Sequence, residues 1–305
     1  MQQHHMKKIF TIDCYCGDTM VKDLFFTNLM TKRHKAILIV SLVAFLVYLY
    51  IALSEEILLK FNLFLPQLPG EPYTELVAIV VIAVTTLTYL RGWKPTAFIV
   101  VLLLVVPWAS EVLSIHTGVP FGNYYYTSAF PGPKILGAPV LLSVYYLGWY
   151  FFPAYFVSNL LVDGVIFTSE KTWWKRALFL SFIGSVIIAG IDMLGDPTLS
   201  TTLHQWIWTN NPYTAYYGIP YLNYLGYIIV MTPVFFLFRY YEIRTHANPM
   251  GPVTMGILLI PFGIYFLSYV SDVCTGPAGL LLVGCFTMLV PLILSLDKLV
   301  RIWGF

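Results

Sequence analysis

Eight apolar stretches, each about as long as one bilayer crossing, constrain this chain more than any other feature. A hydrocarbon core of ~30 Å takes roughly 20 residues of helix, with ~17 as a lower bound. The stretches are Ala36–Leu53, Thr74–Leu90, Thr96–Leu113, Ala138–Val162, Ala177–Leu194, Tyr221–Tyr240, Val253–Ser271 and Pro277–Leu296. With 58% of its 305 residues apolar and only 10% charged, the chain is excluded from the ordinary soluble classes. The expected fold is all-α, a polytopic membrane bundle. Residues 1–35 form a tail and 36–305 a single transmembrane domain. The second and third stretches are short and close together. They read as two crossings, or one of them as tilted, re-entrant or merged with the other, which separates a count of eight spans from seven.

The cations sort by segment. Lys32, Arg33 and Lys35 precede the first stretch, and Arg91 and Lys94 lie between the second and third. Lys171, Lys175 and Arg176 lie between the fourth and fifth, Arg239 and Arg244 end the sixth, and Lys298 and Arg301 follow the eighth. In an eight-span bundle these fall on one side, against Lys60 and Lys134 on the other. The positive-inside rule then puts both termini in the cytoplasm. The tail lacks a signal-peptide apolar region and cleavage site, and its Val21–Met30 portion is readable as a short interfacial helix or as a frayed end. Cys14, Cys16, Cys274 and Cys285 make neither a zinc pattern nor a disulfide framework. A net charge of +2 gives no basis for a nucleic-acid partner, and no phosphate loop, dinucleotide fingerprint or metal motif is present.

Within this scaffold two segments match. One runs from Glu111 through Phe121, Asn123, Tyr124 and Tyr126 to Gly137-Ala138-Pro139. The other runs from Asp192 through Asp196, Trp206 and Trp208 to Gly218-Ile219-Pro220. The acid-to-glycine spacing is 26 residues in both. Each is an acid at the end of an apolar run followed by an aromatic loop, so the pair reads as an internal repeat of two helices, both units crossing in the same direction. Charge topology puts both aromatic loops on the outer face. The expectation is one site built from two halves.

Glu111 sits near a span end, where solvation in the headgroup region competes with a functional role. Asp192 is deeper. A charge at the centre of a membrane helix costs ~2.5–3.5 kcal/mol, which argues for a partner, a wet cavity or a neutral acid. Asp196, at i+4, shares its helix face, and two such acids repel unless a proton is held between them. Asn223 is placed to orient a water or a carboxyl, although helix–helix bonding is the commoner use of an amide there. Tyr124, Tyr126, Trp206, Trp208 and Tyr217 read as an interfacial belt or as π faces for a cation. His116 and His204 read as bystanders.

These motifs resemble the integral-membrane carotenoid hydratases, of the bisanhydrobacterioruberin hydratase and gamma-carotene 1',2'-hydratase type. The resemblance rests on Glu111 with Thr117 to Thr127, Gly132 to Pro139, Asp192 with Asp196-Pro197, Trp206 to Trp208, and Tyr217 to Asn223. It covers residues 107–227. Tyr145, Tyr224 and Tyr227 depart from the family pattern, which has Trp, Phe and Trp there. The resemblance implies cofactor-free, metal-free hydration of the terminal C=C of an acyclic carotenoid to a tertiary alcohol. Substrate contacts would come from Phe121, Asn123, Tyr124, Tyr126, Trp206, Trp208, Tyr217 and Asn223. Asp192 or Asp196 would be the acid and Glu111 the water-side base. The partners are then the carotenoid, water and the bilayer. A proton-initiated cyclase is the nearest rival, and a non-catalytic carotenoid-binding subunit is the rival of a different class.

Overall fold

A computed structural model describes residues 29–66, 68–70, 72–162, 173–210, 213–214, 216–247 and 249–303. Helix α1 (Lys32–Ile51) starts inside the expected tail. Thr31 caps it: its hydroxyl accepts from the His34 amide at 3.3 Å, and His34 Nδ1 accepts from the Thr31 amide. Most of Val21–Met30, Cys14, Cys16 and Lys171 lie outside the described residues. Helix α2 (Tyr73–Arg91) and helix α3 (Trp93–Thr117) are separate crossings joined by one residue, Gly92. Its φ of 87° is open to glycine and costly for other residues, and this single left-handed joint is why the two stretches lie so close in sequence. The merged reading does not hold.

After α3 come β1 (Tyr124–Tyr126) and the small hairpin β2 (Lys134–Ile135) and β3 (Ala138–Pro139). Helix α4 is built of Leu142–Tyr145, a π-helical stretch Tyr146–Phe151, and Phe152–Leu161. The expected start at Ala138 is therefore early by four residues, because Ala138 and Pro139 are in the hairpin. Helix α5 (Trp173–Asp196) runs into a π-helical end, Pro197–Thr202, before β4 (Trp206–Trp208). Helices α6 (Tyr221–Arg244) and α7 (Met255–Thr275) follow. Helix α8 is made of Leu280–Gly284, Cys285–Leu289 and Val290–Trp303. Seven of these helices are long and apolar enough to cross a bilayer, and α4, interrupted by its π turn, packs among them. The chain is a polytopic helical membrane protein.

Helices α5 and α6 form the most extensive pair, α1 and α2 the next. Small residues permit this. Gly184 on α5 leaves room for Phe235, whose ring would lie 3.1 Å from a Cβ. Hydroxyl pairs cross both contacts, Ser185 with Thr232 at 3.0 Å and Ser41 with Thr86 at 2.8 Å. Close approach through small residues and interhelical hydrogen bonds drives association where lipid already solvates apolar side chains.

At one end of the bundle Arg91 Nε meets Glu242 Oε1 at 2.9 Å. Tyr155 donates to the same carboxylate at 2.8 Å, and Arg239 donates to Asn159 Oδ1 at 2.6 Å. Arg91 and Arg239 are thus buried network members rather than loop cations. Exposed Lys32, Arg33, Lys94, Lys175, Arg176, Arg244 and Arg301 still mark that end.

Candidate active site

The other end of the bundle holds the two matching segments. Helix α3 stops at Gly118, left-handed at φ 76°, and Ser114 ties the next turn back, accepting from the Phe121 amide and donating to the Gly122 carbonyl, both at 3.0 Å. The chain then enters β1, which pairs antiparallel with β4: Tyr124 opposite Trp208, Tyr125 opposite Ile207, Tyr126 opposite Trp206. Alternation along a strand puts i and i+2 on one face. Tyr124, Tyr126, Trp206 and Trp208 therefore form one four-ring wall, with centroids 4.8 Å apart for Tyr124–Trp208 and 5.8 Å for Tyr126–Trp206, while Tyr125 faces away, half exposed.

The wall delivers its polar tips to two acids. Tyr124 and Tyr126 donate to Glu111 Oε2, the latter at 3.0 Å, and Tyr146 from α4 donates to Oε1 at 2.8 Å. Trp206 and Trp208 donate through Nε1 to Asp196 Oδ1 at 2.9 and 3.0 Å. Asn223, in the first turn of α6, uses both amide protons: Nδ2 lies 2.6 Å from Asp192 Oδ2 and 2.8 Å from Asp196 Oδ2. Tyr150 donates to Asp192 Oδ1 at 2.9 Å, and the Tyr227 hydroxyl is a hydrogen-bonding neighbour of both Tyr150 and Asp192. Glu111 is 4% exposed and both aspartates 1%, so solvation of Glu111 by the headgroup region is ruled out.

The acids differ in what holds them. Asp196 accepts from indole and amide N–H groups, which donate and cannot accept at those atoms; that set suits a fixed carboxylate. Glu111 is held by phenols, and Asp192 by phenols and the Asn223 amide. A phenol both donates and accepts, so these two sites can exchange a proton and keep their partners. In the loop, burial first and the Glu111 charge second push the phenols of Tyr124 and Tyr126 well above the usual range, which keeps both as O–H groups. Among the described residues no Lys or Arg side chain is paired with any of the three acids.

Between Glu111 and Asp196 lies a chamber of about 30 Å³, bounded also by Leu142, Tyr145, Leu199 and Asn223. That is room for a water or two. Phe121 supports it from behind, 5.2 Å from the Tyr227 ring, in a gap left by Gly226, where a Cβ would fall 2.5 Å from the Phe121 ring. Eight of the expected residues thus form one constellation, with Phe121 behind it. Asn123 and Tyr217 lie apart: Asn123 is exposed, with its side chain over Gly118, and Tyr217 donates to the Ala278 carbonyl. Sequence reasoning missed Tyr146 and Tyr150, phenols one turn apart on α4. It noted Tyr227 only as a departure from a family pattern.

A family model described as carotenoid biosynthesis protein matches residues 70–291. The chain belongs to this family. Membership assigns it a role in carotenoid biosynthesis, and the match spans both acid-bearing helices and both aromatic strands. Comparison with curated proteins and with solved structures gave no match.

Proposed function

We propose that this protein adds water across the terminal C=C of an acyclic carotenoid end group, giving a tertiary alcohol. The observation that carries the reading is the division of the acids at a water-sized chamber: Glu111, held by phenols, and Asp196, held by N–H donors, line it, and Asp192 stands behind Tyr150 and Asn223, which line it too. In the proposed step Asp192 passes its carboxyl proton to the Tyr150 oxygen as the Tyr150 hydroxyl, which lines the chamber, gives its own proton to the less substituted alkene carbon. The π pair forms that C–H bond and leaves a tertiary cation on the neighbouring carbon. The ring faces of the four-aromatic wall and the Asp196 carboxylate stabilise the cation. A water lone pair forms the C–O bond as Glu111 takes the water proton. Return of one proton from Glu111 to Asp192 restores the start.

The chamber is too small for a dimethylvinyl group, so binding must part its apolar side at Leu142, Tyr145 and Leu199. The bilayer supplies the substrate and the loop side the water. By exposed charge the chamber end is outward and both termini are cytoplasmic.

Expression in a host that accumulates an acyclic carotenoid tests the reading. The expected result is a more polar pigment, heavier by one water per hydrated end. A product of unchanged mass would instead indicate cyclisation, and an unaltered pigment with well-inserted protein would remove the enzymatic reading.

A further inference from the structure

The chamber accounts for one end of a long substrate and leaves its arm unplaced. Tyr145 borders the chamber, and its ring lies 5.1 Å from Phe130 and 4.8 Å from Trp149. Trp149 in turn lies 6.3 Å from Tyr48 on α1 and donates its indole N–H to the Tyr48 hydroxyl at 3.0 Å. Tyr145 and Trp149 are half-buried, whereas their neighbours Tyr146 and Tyr150, which hold the acids, are buried. One face of α4 therefore serves the carboxyl groups, and the next carries a ladder of rings away from them.

The ladder points at a second cavity. One turn from Tyr48 on α1, Phe45 edges an apolar crevice of about 820 Å³ between α1, α7 and α8, walled by Leu42, Leu46, Ile260, Leu292 and Ile293. Phe45 reaches across to α7 because position 263 is glycine; a Cβ there would lie 2.7 Å from the ring. The crevice opens to the bilayer at Leu46 and Ile293, 54% and 60% exposed. It extends from the Phe45 level away from the chamber end, as the long axis of a bilayer-length molecule requires.

We infer that the polyene arm of the substrate lies along Tyr145 and Trp149 and runs into the crevice between α1, α7 and α8, and that this track selects a long conjugated molecule. The inference rests on the carotenoid reading of the chamber above. Two features favour the polyene over a lipid acyl chain. Ring contacts run from the chamber to Tyr48, one turn from Phe45 at the crevice edge, and a rigid conjugated chain stacks on ring faces along its length, for which a flexible saturated chain has no need.

The test uses full-length protein in lipid vesicles and reads binding by the optical shift of an added acyclic carotenoid, so that it does not depend on turnover. Leu46→Trp and Ile293→Trp fill the crevice from exposed positions, Trp149→Leu removes one ring, and Leu178→Trp on the lipid face of α5 controls for added bulk. Trp149→Leu is expected to weaken carotenoid binding up to about tenfold, the size of one good aromatic contact, and the two crevice-filling variants by at least as much, through exclusion of the chain. The control should be neutral. Competition by a short acyclic terpene with the same end group should keep its strength in the crevice variants. Unchanged carotenoid binding in Leu46→Trp and Ile293→Trp would assign the crevice to bilayer lipid and overturn the inference, as would equal weakening of carotenoid and terpene. Wild-type turnover, assayed separately, decides the hydratase reading on its own.

Discussion

The assignment of Asp196 as a fixed carboxylate can be measured by one substitution made at two places. Trp208 and Trp149 are both half-buried, and each donates an indole N–H at 3.0 Å, Trp208 to the Asp196 carboxyl and Trp149 to the Tyr48 hydroxyl. Trp→Phe deletes that N–H and similar ring area at both, so the acceptor is the main difference between them. A hydrogen bond to a neutral acceptor contributes about 0.5–1.5 kcal/mol, and one to a charged acceptor about 1.5–3 kcal/mol. Trp208→Phe should therefore cost about 1 kcal/mol more stability than Trp149→Phe, roughly a fivefold difference in the folding equilibrium. Unfolding of both purified variants in the same mixed micelles gives the two numbers. Equal costs would mean that Asp196 carries its proton in the resting protein, and the role division would fail.

Other outcomes follow from the same geometry. Glu111→Gln should keep the fold, because Tyr124, Tyr126 and Tyr146 can rotate their hydroxyls to suit an amide, yet lower product formation by about 10²–10⁴, as loss of a general base does; a thermal melt beside a pigment assay separates the two. Gly226→Ala should lose both stability and product, since its Cβ would fall 2.5 Å from the Phe121 ring and 2.8 Å from the Pro120 carbonyl; a variant as stable as the parent would contradict the close packing. A cysteine placed at exposed Ile135 should react with an impermeant thiol reagent added outside intact cells, whereas one at Lys94 should react only after lysis. The reverse pattern would invert the orientation.

Much of this architecture was legible because membranes impose simple lengths. The eight runs identified the helices, and their edges blurred at the Gly92 joint, at the Ala138–Pro139 hairpin, and at α1 and α8, which reach into the expected tail and past the last run. The acids were legible because carboxylates are expensive in apolar runs, and the i, i+4 spacing of Asp192 and Asp196 already put them on one face. The pairing of Tyr124–Tyr126 with Trp208–Trp206 was not legible, since strand register across such a separation is set by how α3 and α5 stand in the bundle. Tyr146 and Tyr150 were hidden for another reason. In an apolar run a tyrosine reads as belt or core, and only the π-helical stretch in α4 determines which phenols reach Glu111 and Asp192. Arg91 and Arg239 misled in the opposite direction: counted as loop charges, they are buried around Tyr155, Arg91 paired with Glu242.

The central claim is that water is captured by a cation formed at Asp192. Purified protein in vesicles, given an acyclic carotenoid in ¹⁸O-labelled water, tests it most directly. The account requires one heavy oxygen in each new tertiary hydroxyl and no such product from Asp192→Asn with its fold intact. An unlabelled product, or full labelling in the Asp192→Asn variant, would contradict it.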